Sequence, residues 1–76
     1  MKPTEKEVKA AIRVILSDRK SYQTSLNYAV GYCQHALHMT GSDLSVQVLY
    51  ILNNISHWTC LGSKEVRKVL KDFTKN

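Results

Sequence analysis

Residues 45–58, SVQVLYILNNISHW, place the tightest constraint on this chain. Set on a helix at about 100° per residue, Leu44, Val48, Ile51, Leu52, Ile55 and Trp58 form one broad face. Val46, Leu49 and Tyr50 continue round the other side. A helix apolar on nearly every side has to be covered from several directions. The run VQVLYI is β-branched enough to suit a strand. Its length and its 3.6-residue face predict a helix instead, and no second strand-like run offers a partner. The expectation is a helix over about 43–57, ending at Ser56 or Trp58, that sits centrally and touches every other element.

Three further helices can be read around it. Thr4 with Glu7 three residues later is a capping-box pattern, and Pro3 precedes it. Val8, Ala11, Ile12 and Ile15 then recur at i, i+3, i+4 and i+7, which predicts a helix over 4–16. SDRKS at 17–21 is the first break. A second helix is expected over 21–39, with a main stripe of Tyr22, Leu26, Ala29, Val30, Cys33, Ala36 and Leu37. Tyr28, Tyr32, His35 and Met39 make a separate stripe roughly opposite. Gly41 suits the left-handed position after a helix, and Ser42 suits an N-cap. TCLGS at 59–63 is a short link. The last helix, over 63–74, sets Val66, Val69, Leu70 and Phe73 against Lys64, Lys68, Lys71 and Lys75 on the opposite side. Four helices with short connections predict an all-α fold, a small antiparallel four-helix bundle-like domain over residues 1–76. A chain of 76 residues buries only a modest core, and small folds often add disulfides, metal or a second subunit.

Charge is segregated along the chain. Residues 1–20 hold six basic side chains against three acidic ones, and residues 64–76 hold five against two, so each end is net +3. Between them, Ser21–Ser63 carries one formal charge, Asp43. The ends therefore read as solvated helices, and the middle as the part that is buried or faces a partner. The overall +5 favours acidic partners such as nucleic acid, which is an argument about association and says nothing of fold.

Chemistry-bearing clusters are sparse. Cys33, His38, His57 and Cys60 offer C-x4-H and H-x2-C pairs, and zinc takes four such ligands. Cys33 lies on an apolar stripe, however, where a reduced cysteine behaves as a small hydrophobe. His38 points about 140° away from it on an ideal helix. Cys60 and His57 are neighbours, but the uncharged middle supplies only Asp43 to orient such a pair. No phosphate-cradling glycine loop and no acidic pair occur. The expectation is a non-enzymatic protein with no cofactor and no metal. A helix-turn-helix at HMTGSDLSVQVL is disfavoured, because its second helix would present Leu49, Tyr50, Ile51 and Leu52 to base edges.

Met1–Lys20 is charged throughout and has no apolar signal-peptide core. The longest apolar run, VLYIL at 48–52, is far short of the ~20 residues a bilayer span needs. With no CxxC present, a cytoplasmic setting with reduced thiols is expected.

The run VLYILNNISHW followed by SKEVRKVLKDF, over about Leu44–Phe73, resembles the C-terminal half of small uncharacterised proteins encoded by bacteriophages and prophages. HWTCLGS departs from the more charged linker that such proteins carry after the tryptophan. The resemblance implies a phage or bacterial cytosolic setting and no particular activity.

Two surfaces remain as candidates. Tyr28, Tyr32, His35 and Met39, with Trp58, have the composition of a protein–protein interface, where aromatic residues and methionine are enriched and charge is depleted. Such a surface would serve a homodimer seam or another protein; the plainer alternative is packing within the monomer, with Trp58 as a core plug. The lysines Lys64, Lys68, Lys71 and Lys75 form a candidate nucleic-acid face, against the plainer reading of a solvated helix side. The expected function is a small interaction module, with a nucleic-acid-binding accessory protein as the alternative.

Overall fold

A computed structural model describes residues 2–24, 26–59 and 62–75. Its helices are α1 (Glu5–Ser17), α2 (Ala29–Ala36), α3 (Gly41–Asn54) and α4 (Ser63–Thr74), with a 3-10 turn at Arg19–Ser21. No strand occurs among the described residues. The fold is a small all-α antiparallel bundle.

The first helix begins where the capping pattern predicts. The Glu7 amide donates to Thr4 Oγ1 at 3.2 Å, and the Thr4 amide donates to Glu7 Oε1 at 3.0 Å. Two of the free amides of the first turn are thereby satisfied reciprocally. Val8, Ala11, Ile12 and Ile15 are buried as one stripe. The fourth helix likewise buries Val66, Leu70 and Phe73 and leaves its lysines outside. Its N-cap, Gly62, has φ +90°, a left-handed conformation that side-chain-bearing residues rarely adopt.

The second helix is much shorter than its apolar stripe suggests. Regular α-helix spans only Ala29–Ala36, and residues 22–24 and 26–28 form turns. Ser21 and Thr24 are the physical reason, since such side chains bond locally to nearby groups and compete with the helical ladder. Ser21 Oγ donates to Asp18 Oδ2 at 2.8 Å, and Thr24 Oγ1 reaches Ser21 O at 3.4 Å. Tyr22 and Leu26 still turn inward, because this string of turns advances with nearly helical handedness: Tyr22 itself has φ −59°, ψ −36°. At its other end the helix stops at Ala36, with two i→i+3 bonds carrying the chain to Met39.

The third helix starts at Gly41, two residues before the sequence expectation, and stops at Asn54, short of Ser56 and Trp58. Its N-cap is Thr40, and Ser42 lies inside the first turn. Gly41 does adopt the left-handed conformation, φ +59°. Its amide donates to Glu5 Oε2 at 2.9 Å, so the start of α3 is held by a carboxylate from the start of α1.

Contacts run α1 to α2, α2 to α3, α3 to α4 and α4 to α1. The helices therefore stand at the corners of a square, with α2 diagonally opposite α4. This corrects the expectation of a central third helix: α3 occupies a corner, packed against α2 and α4. Leu44, Val48, Ile51 and Ile55 are wholly buried, while Val46, Leu49 and Tyr50 remain about half exposed.

Two polar ties fix the links at one end of the bundle. Trp58 is wholly buried, and its indole Nε1–H donates to Asp18 Oδ2 at 2.8 Å. The carboxylate that ends α1 thus anchors both the 3-10 turn, through Ser21, and the α3–α4 link, through Trp58. Arg67 of α4 holds the same link from the other side. Its Nη2 donates to the carbonyls of Ile55, at 2.9 Å, and of Trp58. At the opposite end, the Lys2 ammonium sits 5.5 Å above the Phe73 ring.

Candidate interaction surface

The exposed large apolar side chains are concentrated on one side of the square. Val46, Leu49 and Tyr50 of α3 are exposed by 50, 48 and 49%, and Tyr28 and Tyr32 of the α2 segment by 76 and 38%. Helix phase explains the grouping. The buried stripe of α3 runs through Leu44, Val48 and Ile51, so residues 46, 49, 50 and 53 point outward. On α2, the buried Ala29, Cys33 and Ala36 leave Tyr28 and Tyr32 turned toward α3 and solvent.

Contacts between the two helices make these side chains one surface. The rings of Tyr32 and Tyr50 stack with centroids 5.6 Å apart and planes 25° apart. Gln47 Nε2 donates to Tyr32 O at 3.0 Å, tying the backbones together beneath the rings. The flanking exposed residues Asn27, His35, Ser42 and Asn53 are uncharged, and exposed Asp43, three residues before Val46 and seven before Tyr50 on α3, adds one carboxylate at the edge. With an aromatic side chain presenting about 150–250 Å², the five apolar side chains together offer about 500 Å² of exposed surface. That lies at the upper end of what a monomer ordinarily shows, where such patches are often functional.

The sequence-derived stripe divides on this surface. Tyr28, Tyr32 and His35 lie on it, whereas Met39 is half-buried and packs against the core. Trp58 is not on it: the ring is enclosed at the end of the bundle and tied to Asp18. Val46, Leu49 and Tyr50 were not foreseen as surface residues. A helix apolar on all sides reads as buried on all sides, and only its corner position shows which part stays open.

The lysine stripe has a different setting. Lys64, Lys68, Lys71 and Lys75 are all exposed and border a shallow trough together with Arg67 and Asp72. Lys75 pairs with Asp72 at 3.4 Å, the only salt bridge among the described residues. A second depression, between α4 and the start of α1, is lined by Lys2, Lys64 and Lys68 against Glu7, Glu65 and Asp72, and is balanced in charge.

The metal and nucleophile constellations do not assemble among the described residues. No three His, Cys, Asp or Glu side chains come together there as metal ligands. Cys33 is wholly buried, and burial pushes its thiol up to about 12, which removes the reactive thiolate at neutral pH. His38 and His57 are exposed, and Cys60 lies outside the described residues. No helix among the described residues is long and apolar enough to cross a membrane. Comparison of the chain with protein-family models, with curated proteins and with solved structures gives no match, so none bears on the resemblance to phage proteins.

Proposed function

We propose that this chain is a protein-interaction module whose α2–α3 face pairs with the same face of a second copy. The observation that carries the reading is the contiguous apolar surface of Tyr28, Tyr32, Val46, Leu49 and Tyr50, bordered by one carboxylate, Asp43, on a domain whose other formal charges lie outside Ser21–Ser63.

Area and charge both favour a second copy as the occupant. Two patches closing on each other would bury about 1,000 Å² from the five side chains alone. The uncharged rim of Asn27, His35, Ser42 and Asn53 would bring the total toward the 1,200–2,000 Å² of a standard interface. The five apolar side chains carry no formal charge, with one carboxylate, Asp43, at their edge, and an apolar face is complementary to itself about a two-fold axis. Each copy carries +5, but the lysines of α4 stand diagonally opposite α2 in a molecule 21 × 18 Å across its shorter axes. They are therefore separated from the seam by more than a Debye length of about 8 Å.

Light scattering across a concentration series tests this. A mass near twice 8.7 kDa is expected. Val46→Glu with Leu49→Glu should return it to the monomer value while the helical circular dichroism spectrum is kept. A wild-type chain that stays monomeric throughout refutes the pairing, and so does a dimer that survives both substitutions.

A further inference from the structure

The lysine face of α4 stands apart from the pairing surface and needs an account of its own. Its lysines recur at i, i+4, i+7 and i+11, three of them on α4 and the last, Lys75, at its C-cap. At 1.5 Å per residue that row is about 16 Å long. The helix beneath it is fixed, because Val66, Leu70 and Phe73 are locked in the core. Among the described residues, Lys64, Lys68 and Lys71 have no carboxylate at ion-pair distance. Glu65 borders the row on its α1 side, where it shares a depression with Lys64 and Lys68, but it makes no ion pair with them. The face is therefore a held row of cations with a shallow trough along it.

We propose that Lys64, Lys68, Lys71 and Lys75 bind the phosphate backbone of double-stranded nucleic acid without reading its sequence. Two observations set the ligand class. Arg67, the residue on this side best suited to bidentate contact with a guanine edge, has its guanidinium engaged with the carbonyls of Ile55 and Trp58. That leaves lysines, which act on phosphates as point charges and position the backbone rather than read bases. The apolar stripe of α4 is already spent on the core, so the helix has nothing to insert into a lipid layer, as interfacial helices do. A duplex, by contrast, presents one charge per about 1.7 Å of its axis and requires no insertion.

Fluorescence anisotropy of labelled 20-base-pair duplexes of two unrelated sequences is the test. Both should bind alike, in the range of about 10⁻⁴–10⁻⁶ M expected for backbone contacts. Four phosphate contacts give a slope of log K against log salt near −3.6, or about a hundredfold weakening between about 50 and 200 mM salt. Lys68→Gln with Lys71→Gln should halve that slope. Lys6→Gln with Arg13→Gln removes the same charge from exposed positions on α1 and should leave the slope unchanged. The proposal is overturned by no binding at about 50 mM salt, or by equal losses in the two double variants. It is also overturned by tighter binding to mixed phosphatidylcholine–phosphatidylserine vesicles than to the duplex.

Discussion

Replacing Arg67 by methionine isolates the tie that holds the α3–α4 link. Methionine keeps an unbranched stem of similar length and removes every donor. In the native fold Nη2 serves two carbonyls, those of Ile55 and Trp58, while Nη1 reaches Ser63 Oγ only at 3.4 Å. Hydrogen bonds from a charged donor contribute about 1.5–3 kcal/mol each. The Ser63 contact is too long to count for much. Arg67 is half-buried, so water can reach part of what the substitution uncovers, and the lower end of the range applies to both main bonds. The expected loss is about 2–4 kcal/mol, a large share of the roughly 4–11 kcal/mol available to a domain of this size. At about 4–8 °C per kcal/mol, the midpoint of thermal unfolding should fall by at least about 8 °C. Trp58 is the chain's one tryptophan and sits at the tie, so its fluorescence reports unfolding directly. Arg67→Lys should recover less than half of the loss, because the lysine stem is shorter and its ammonium falls short of the two carbonyls that Nη2 reaches. Lys64→Met, on the exposed side of the same helix, should stay within about 0.5 kcal/mol of the native protein. An Arg67→Met protein as stable as the Lys64→Met control would refute the reasoning, and full recovery by lysine would refute the need for the longer reach of arginine.

Two more outcomes follow from the ionisable groups. Hydrogen bonds from the Trp58 indole and the Ser21 hydroxyl hold the Asp18 carboxyl below its ordinary value. A group depressed in the fold contributes its stability above the unfolded value of about 3.9, and that stability is lost as pH falls through the lower folded value. Asp18→Asn should therefore flatten the acid limb of the melting-temperature profile below about pH 4; superimposable profiles for the two proteins would sink the assignment. Cys33, wholly buried with its thiol raised, should resist a thiol reagent at pH 8 in a Cys60→Ser background and react fully once denatured. Rapid labelling of the native variant would show that the α2 stripe does not enclose it.

How far the sequence could be read varies with how much each element depends on its neighbours. The first and fourth helices were legible nearly to the residue, at 4–16 and 63–74 against Glu5–Ser17 and Ser63–Thr74. Each has one narrow apolar stripe opposite charge, and Thr4 with Glu7 marks a start that needs nothing beyond the local chain. The second was overextended, because Tyr22 and Leu26 keep helical spacing while passing through turns. Periodicity detects the inward direction of side chains and is blind to the hydrogen bonds that Ser21 and Thr24 divert. The third helix was correct in kind, but its start depends on Glu5, 36 residues away.

The candidate surface divides along the same line. Tyr28, Tyr32 and the four lysines could be named from spacing, because a residue opposite a buried stripe turns outward while the helix lasts; Met39, beyond the end of α2, packs against the core instead. Trp58 could not be assigned: a tryptophan suits a core and an interface equally, and only the Asp18 carboxylate, 40 residues away in the chain, shows which it serves. Arg67 likewise reads from the sequence as one more cation of a basic helix, and acquires its carbonyl partners only when α3 ends beside it. Amphipathic spacing and local caps, which act over three or four residues, determined that this chain is all-helical and where its charged sides lie. Which part of the apolar third helix stays open was decided by the square arrangement of the four helices, since burial is a property of what stands opposite a side chain.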